Sequence, residues 1–542
     1  MKKATSTFIV FGVLLLAGSL LAGDSTRLAD IENSYADWMD ASSIGAAIDS
    51  GLFSSYRGKD RSAWSQVREE KRKQLETHLK NISEKGLSAA DARALMLIRK
   101  GVGSPGEAPS AHQANCQDAQ RRDLPAKDLH SALYACFEEL GNHLQFEGKS
   151  LTRVEGLELL GQLPEADRRK ALFLTFAPLW KAVNGNDEPD SAYRRLIAQS
   201  ASDKHGSPID DAAKTVGVQA SEIESWLVEI LDAWRIASGN QMVEPWDYRY
   251  AAGKADRLLG DSIPRASLLP ITERYYKDLG ADLKQLGILY DLDPRPGKAP
   301  LAYTDFVVRG HNVNSVWQPT VVYVSGNYAR GGLGLLNEFV HENGHAVHMM
   351  ALHTKPAFMD LGDPVFYEAF ADVPSWDTYD PAWQQKYLGT SAPEFDSKRA
   401  LYSGVMLDVA WALFEVRMLH NPTADPNAVW TEITSRYLHI VPHPELTWWA
   451  VRVQLVDAPG YMVNYGLGAV ITADIRERIG ESRGPFVTGN AKWYAWISEY
   501  LLRQGMENET SVELKEFLGR PVSPEALLQD LRTIGRPQKP LN

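Results

Sequence analysis

The sequence predicts a mostly α-helical fold with one small β element, and three observations lead to this expectation. Long segments carry apolar residues at three- and four-residue spacing, with polar and charged residues between them. Proline and glycine punctuate the ends of these segments, as at residues 293–300 and 362–364. Strand-like runs are few. No internal repeat of fixed period accompanies these segments.

Four segments show the helical spacing most clearly, and one short segment has the composition of a strand. The helical segments are residues 61–83, 89–100, 220–238 and 268–289. In residues 319–325, three valines and a tyrosine follow one another, as is typical of a buried strand. We therefore expect helices over the first four segments and a small β element around residues 301–325.

Length, composition and charge limit the classes of protein to which this chain can belong. The chain has 542 residues, is 44% hydrophobic and 23% charged, and carries a formal net charge of −12. These values are ordinary for a globular protein, and they exclude collagen-like and disordered chains. An acidic chain without a basic block is a poor candidate for binding nucleic acid or anionic lipid. Length alone suggests three or four domains of about 150 residues.

Residues 1–23 have the pattern of an export signal. Lys2 and Lys3 form a short basic start, and residues 8–22 are apolar before small residues and a polar segment. The apolar stretch is short for a membrane span, which needs about 20 residues, although an uncleaved anchor is the alternative. We expect a mature chain that is periplasmic or secreted, with a net charge of about −14 and no membrane span.

The chain has two cysteines, Cys116 and Cys136. Two cysteines cannot build a structural zinc site of four thiolates. In an exported protein they can form one disulfide, and the alternative is a pair of free, buried thiols. Zinc ligands must therefore be sought among histidines and carboxylates.

The chemistry is concentrated in an H-E-x-x-H motif formed by His341, Glu342 and His345. Histidines four residues apart share one face of a helix, and two neutral imidazoles at this spacing can bind one Zn²⁺. Glu342 lies between them in sequence and is a candidate general base that takes a proton from water. The alternative is a helix that merely carries two histidines. Leu336, Phe339 and neighbouring apolar residues indicate that this helix is largely buried.

A catalytic zinc site needs a third protein ligand and one open position. Glu368 and Asp372 are four residues apart, within a segment rich in aromatic and small residues. We expect Glu368 to be the ligand and Asp372 to accept a hydrogen bond from a metal-binding histidine. Two alternatives remain, namely Asp372 as the ligand and a solvated acidic pair without a metal.

Four segments together resemble the thimet oligopeptidase and dipeptidyl carboxypeptidase family of gluzincin zinc peptidases. The metal helix is similar over residues 341–348, including the later histidine. Residues 291–298 match an Asp-x3-Arg-x-Gly-Lys segment, residues 244–250 resemble a Trp-Asp segment, and residues 517–528 resemble the carboxyl-terminal end. The resemblance spans about residues 240 to 530.

Two further segments resemble related families. Residues 366–372 have the Phe-x-Glu-Ala-x-x-Asp arrangement of the angiotensin-converting enzyme family, where the glutamate binds zinc and the aspartate supports a histidine. Residues 459–468 resemble the tyrosine segment of these helical peptidases and of the thermostable carboxypeptidase Taq family. This resemblance implies that Tyr465, or in second place Tyr461, donates a hydrogen bond to the oxyanion. The alternative is that both tyrosines only pack.

The resemblance implies a two-lobed helical clamshell with the small β element beside the active-site helix. Residues 24–290 form much of one lobe, and residues 291–542 form the catalytic region. Together with the export signal, the resemblance predicts an exported zinc oligopeptidase that cleaves short peptides in a deep cleft. Strand residues 322–326 are a candidate rail for the substrate backbone. The alternatives are a dipeptidyl carboxypeptidase of the angiotensin-converting type and a catalytically inactive peptide-binding protein. The oligomeric state is not indicated.

Overall fold

The fold is described from a computed structural model. It describes residues 9–80, 82, 84–103, 114–202, 206–295, 298, 302–313 and 316–534. Residues 1–8 of the expected export signal lie outside this range, and for residues 9–23 only the backbone is described, as part of the first helix. Across the described residues, no helix is both long and apolar enough to cross a membrane.

The protein is mostly α-helical, which confirms the predicted fold class. The helices are α1 (Ile9–Asp49), α2 (Arg61–Leu79), α3 (Ala89–Gly103), α4 (Ala126–Cys136), α5 (Arg153–Leu160), α6 (Ala166–Leu174), α7 (Ala177–Asn184), α8 (Ala192–Ala201), α9 (Pro208–Val216), α10 (Ala220–Ala237), α11 (Tyr248–Ala252), α12 (Lys254–Leu259), α13 (Leu268–Asp278), α14 (Leu283–Leu286), α15 (Leu333–Ala351), α16 (Pro364–Ser375), α17 (Pro381–Leu388), α18 (Glu394–His420), α19 (Pro426–Leu438), α20 (Gln454–Asp457), α21 (Met462–Arg483), α22 (Trp493–Ile497), α23 (Thr510–Leu518) and α24 (Glu525–Thr533). Short 3₁₀ and π turns join several of them.

Three of the four predicted helices, α2, α3 and α10, have nearly the expected bounds. The prediction for residues 268–289 was wrong in its second half. There α13 ends at Asp278, and Gly280 adopts a left-handed φ of 86° that reverses the chain. The short helix α14 and a strand follow. The apolar spacing continued through this turn because both sides of it face the same core.

The strands are β1 (Leu144–Phe146), β2 (Lys149–Leu151), β3 (Leu289–Asp291), β4 (Tyr303–Val308), β5 (His311–Val313), β6 (Val316–Gln318) and β7 (Val321–Ser325). The β element predicted around residues 301–325 is confirmed. It contains the hairpin β5–β6 and part of a three-stranded sheet of order β3-β7-β4. The hairpin β1–β2 and the strand β3 were not predicted.

The three-stranded sheet lies beside α15 and holds β7 in its centre. β7 pairs in parallel with β3 and antiparallel with β4, so both of its backbone edges are occupied. The proposed substrate rail at residues 322–326 is therefore wrong, since a paired central strand offers no free hydrogen-bonding edge. One face of the sheet packs against α1, and the other joins the main core with α15. The β element thus lies next to the metal helix, as predicted.

One hydrophobic core extends from Cys116 to Ile534, and two smaller clusters join α1–α3 to the sheet and to residues 357–358. The main core contains residues from both sides of the boundary expected near residue 290. The division into regions 24–290 and 291–542, like the two-lobed shape, stays a prediction.

Cys116 and Cys136 form a disulfide, with their Cα atoms 4.4 Å apart and the two residues 20 positions apart in sequence. The bond ties the 3₁₀ turn at Cys116–Gln120 to the end of α4. The question that the sequence left open is therefore answered in favour of the disulfide.

Candidate metal centre

The centre is built on two helices, α15 and α16, that pack closely against each other. Their contact depends on Gly344, which lies between the two histidines of the motif. A Cβ atom there would lie only 2.8 Å from Cα and 2.9 Å from the carbonyl oxygen of Ala371. Glycine therefore lets the α16 backbone approach α15, and this approach brings the α16 carboxylates to the histidines.

His341, His345 and Glu368 form a group in which one ligand atom from each residue lies within 4.8 Å of the other two. The two Nε2 atoms are 3.1 Å apart, and Oε2 of Glu368 lies 3.3 Å from Nε2 of His341 and 3.9 Å from Nε2 of His345. Two imidazole nitrogens and one carboxylate oxygen converging on one point are a donor set that suits Zn²⁺. These residues could hold a metal ion.

Asp372 occupies the other side of the His341 ring. Its Oδ1 lies 2.7 Å from Nδ1 of His341 and accepts a hydrogen bond of 3.1 Å from the hydroxyl of Ser375. A hydrogen bond that Nδ1–H donates to a carboxylate leaves the lone pair of Nε2 free to bind a metal. This geometry favours Glu368 over Asp372 as the third ligand, as the sequence analysis expected.

Burial and neighbouring charges shift the pKa values of the two histidines in opposite directions. Although burial alone would lower the pKa of His341, the charges of Asp372 and Glu368 outweigh it and raise that pKa well above its usual value. Burial and the neighbouring His341 hold the pKa of His345 well below its usual value. The site therefore keeps one histidine neutral and places the other in a strongly negative environment.

Glu342 is buried, with only 7% of its surface exposed, and is held by a residue that the sequence did not indicate. The hydroxyl of Thr304 on β4 lies 2.8 Å from Oε2 of Glu342 and 2.9 Å from its backbone oxygen. Burial raises the pKa of Glu342, while His341 and Thr304 act in the opposite direction. A carboxylate with a raised pKa is suited to taking and returning a proton.

Both predicted tyrosines line the same cavity of about 300 Å³ as His341, Glu368 and Asp372. Tyr461 and Tyr465 lie at the start of α21, with their ring centroids 5.7 Å apart. Burial raises the pKa of both phenols, so they stay protonated and can donate hydrogen bonds. The structure thus brings together all the site residues that the sequence suggested.

Arg452 is the main residue of this cavity that sequence analysis missed. Its side chain is 23% exposed and lies 2.6 Å from Oδ1 of Asp408. The guanidinium also lies 4.9 Å from the ring centroid of Tyr465 and 5.3 Å from that of Trp411. The sequence offered one indication of this arginine, because it directly follows the apolar run Trp448–Val451, which is buried in the structure.

The later histidine of the metal helix, His348, does not join the centre. It is 1% exposed and packs between the rings of Phe366 and Phe370. Burial lowers its pKa to about 3, so it is neutral. His348 is a core residue that helps to join α15 to α16.

The sequence matches no family model and no curated protein sequence. Solved structures are nevertheless similar over nearly the whole chain. The M32 carboxypeptidase from Deinococcus radiodurans R1 is 15% identical, with a TM-score of 0.53 over 94% of this chain and 98% of that chain. Metallocarboxypeptidase 1 from Trypanosoma cruzi is 13% identical, with a TM-score of 0.52 over 94% and 100%.

PZ peptidase A in complex with an inhibitor is 16% identical, with a TM-score of 0.51 over 93% of this chain and 98% of that chain. At these identities the likeness concerns the fold. The finer resemblance to thimet oligopeptidases and the angiotensin-converting enzyme family stays a prediction. This chain shares the helical fold of the metallocarboxypeptidases along nearly its entire length.

Proposed function

We propose that the protein is a zinc-dependent metallopeptidase that acts at the carboxyl ends of short peptides. The observation that carries this proposal is the presence of Arg452 in the same cavity as His341, Glu368 and Tyr465. A fixed guanidinium beside a candidate metal centre is suited to bind the free carboxylate of a peptide. The similarity of the fold to solved metallocarboxypeptidases supports the same proposal.

In this proposal His341, His345 and Glu368 hold the zinc ion, and Asp372 orients His341. When bound there, zinc supplies a Lewis acid that activates water and polarises the scissile carbonyl. The protein's own residues then handle the protons. Glu342, oriented by Thr304, takes a proton from the attacking water and passes it to the leaving amine. Tyr465 or Tyr461 donates a hydrogen bond to the oxygen on which negative charge develops.

Arg452 fixes which bond is cut. Its ion pair with Asp408 and its position between two aromatic rings hold the guanidinium in place. A peptide whose carboxylate binds Arg452 presents a bond near its carboxyl end to the metal centre. Endopeptidase cleavage of short peptides and release of dipeptides are the rival activities, and the sizes of the products distinguish them.

The proposal predicts that Glu342→Gln lowers kcat about 10²–10⁴-fold while zinc content stays at one ion per chain. Hydrolysis of N-blocked peptides is followed by mass spectrometry, with and without a chelator, and zinc by atomic absorption. If the Glu342→Gln protein cuts as fast as the wild type, the mechanism is wrong. If the wild type binds zinc and peptides but cuts none, the protein is an inactive peptide-binding protein.

The role of Arg452 is tested with pairs of peptides that differ only in a free or an amidated carboxyl end. The wild type should prefer the free carboxylate, and Arg452→Gln should remove this preference, whereas Arg452→Lys should keep part of it. Equal cleavage of both peptides by the wild type would contradict carboxypeptidase action and favour the endopeptidase alternative.

We also propose that the chain is exported. The support comes from the basic and apolar pattern of residues 1–23 and from the disulfide, a bond typical of oxidising compartments. Amino-terminal sequencing of the protein purified from its source should start near residue 24. A mature protein that still begins with Met1 would contradict cleavage of the signal.

A further inference from the structure

A second cavity, of about 310 Å³, shares two of its lining helices, α15 and α18, with the 300 Å³ cavity of the metal centre, which is called the metal cavity below. It borders Leu335 and Glu338 on α15, one turn before His341, and Leu407 on α18, next to Asp408 of the metal cavity. The two cavities are therefore neighbouring compartments along one pair of helices. Arg249 on α11 lines the second cavity.

Arg249 has no hydrogen-bond or ion-pair partner for its side chain within the part of the chain that the structure describes. It belongs to an arginine cluster with Arg452 and Arg153. Burial and then the two neighbouring arginines lower the pKa of Arg153 to about 10, and burial and Arg452 lower that of Arg249. Among the described residues, Asp408 is the one carboxylate in direct contact with the cluster. Glu158 and Glu138 also act on the charges of Arg249 and Arg153, but neither forms an ion pair with them, so among the described residues the three arginines share one direct ion pair.

Among the described residues, none of the acidic residues of the second cavity forms an ion pair with Arg249. Glu158 is paired with Arg330 at 2.8 Å. Asp256 accepts hydrogen bonds from the backbone N–H groups of Leu333 and Gly334 at the start of α15. Burial raises the pKa of Glu338 to about 7, so this carboxyl is largely protonated in weak acid. Arg249 is half-buried; a partly buried cation without a direct partner is costly, and an anionic ligand reduces that cost.

We propose that Arg249 recognises a carboxylate in the side chain of the substrate's carboxyl-terminal residue, so that the preferred substrates are short peptides ending in glutamate or aspartate. The inference rests on the proposed function: Arg452 receives the terminal α-carboxylate, and Arg249, in the adjoining compartment, receives the acidic side chain. Arg153 donates a hydrogen bond to the carbonyl oxygen of Val451 at 3.2 Å and thus supports the backbone beside Arg452.

The substrate test compares N-benzoylglycyl dipeptides that end in Glu, Gln, Leu or Lys. Glu and Gln have nearly the same shape, so their comparison isolates the charge. An arginine–carboxylate contact that is partly shielded from water predicts a kcat/KM for Glu at least about tenfold above that for Gln. Since the contact forms on binding, most of the difference should appear in KM. A wild type that does not distinguish Glu from Gln overturns the inference.

Substitutions then test which residue of the protein binds the acidic side chain of the substrate. Arg249→Gln should reduce the Glu-to-Gln ratio to about one, and Arg249→Lys should keep part of it. Arg168→Gln is the matched control, because it removes one positive charge from an exposed arginine paired with Glu147; its ratio should equal that of the wild type. Zinc content and thermal unfolding show whether each variant is folded. If folded Arg249→Gln keeps the wild-type ratio, Arg249 is not the recognising residue.

Binding measurements distinguish a failure of this inference from a failure of the proposed function. Calorimetry with zinc-loaded Glu342→Gln measures the Kd of the same peptides without turnover. We expect Kd for the Glu peptide to be at least about tenfold below that for the Gln peptide. Tighter binding of the Glu peptide by a protein that hydrolyses nothing would refute the proposed activity and support acidic recognition. Hydrolysis without selectivity in either experiment would leave the activity standing and refute the role of Arg249.

Discussion

The hydroxyl of Thr304 fixes the carboxylate of Glu342, although the two residues are 38 positions apart in sequence. The same hydroxyl reaches the backbone oxygen of Glu342 and so ties β4 to the metal helix. A carboxylate held in this way loses little freedom when it reacts, which is the property required of a general base.

We predict that Thr304→Val lowers kcat/KM about tenfold, because the hydrogen bond to a charged group is lost while the shape is kept. Zinc content should not change, since Thr304 contacts none of the candidate ligands. Thr304→Ser, which keeps the hydroxyl, should stay close to the wild type. A Val variant with full activity would show that Glu342 needs no support from β4.

Glu368 and Asp372 should differ in their effects on zinc. Glu368→Ala removes one of three converging atoms and should abolish measurable zinc binding, whereas Asp372→Ala should weaken it about 10–100-fold by freeing the ring of His341. Competition with a fluorescent zinc chelator measures both affinities. The reverse order would make Asp372 the third ligand, the alternative that the sequence left open.

At the level of helices and strands, ion pairs hold two of the segments that resemble the thimet oligopeptidase family. Arg295 binds Asp291 through two contacts of 2.7 Å, and Lys298 reaches the backbone oxygen of Gly326, so the ends of β3 and β7 are joined. Arg520 binds Asp474 on α21 in the same two-contact manner. These segments position the elements of the site and do not line the metal cavity.

The contact between α15 and α16 gives a prediction at this scale. Gly344→Ala should destabilise the protein by about 1–3 kcal/mol, because the new methyl group overlaps the backbone of Ala371, even though alanine favours a helix by about 1 kcal/mol. It should also weaken zinc binding, since Glu368 lies on the displaced helix. Gly480→Ala on α21 is the control, because no atom lies within 4 Å of its Cβ, and it should stabilise slightly. Thermal unfolding and zinc titration check both.

At the level of the whole molecule, the disulfide fastens α4 to the turn before it. In a chain-entropy estimate, closing 20 residues constrains the unfolded chain by about 3 kcal/mol. The double variant Cys116→Ser, Cys136→Ser should therefore unfold more easily by about that amount. A reducing agent should lower the melting temperature of the wild type but not of the double variant. Equal sensitivity of the two proteins would contradict the prediction.

Glu415 should make stability depend on pH. It is buried in the core and accepts hydrogen bonds from the backbone N–H groups of Gly460 and Met462, on either side of Tyr461. Burial raises its pKa from 4.5 to about 8. Between these values the unfolded chain has lost the proton and the folded protein retains it. The contribution of Glu415 to the free energy of unfolding therefore falls as pH rises through this window.

The corresponding measurement compares the wild type with Glu415→Gln by urea unfolding at several pH values between 5 and 8. The stability of the wild type relative to the variant should fall as pH rises, by at most about 1.4 kcal/mol per pH unit. A difference between the two proteins that does not change with pH would show that Glu415 is ionised in the folded protein.

The sequence by itself predicted the mostly helical fold, the position of the β element and the candidate residues of the metal group, with Asp372 left open as an alternative to Glu368. These features are local: helical periodicity reports the buried face of one helix, and a spacing of four residues places His341 with His345, and Glu368 with Asp372, whatever the rest of the chain does. The sequence also limited the candidate ligands to histidines and carboxylates, because it has only two cysteines.

Only the tertiary structure decided which distant residues reach the site. Thr304 comes from β4 and Arg452 follows a buried tryptophan run, so no spacing relates them to the motif. The same holds for Arg249 of the second cavity, which comes from α11. The structure also placed β7 in the centre of its sheet and paired the cysteines. The physical reason is that contacts between elements depend on how all the helices pack around one shared core, which the pattern of a single segment does not encode.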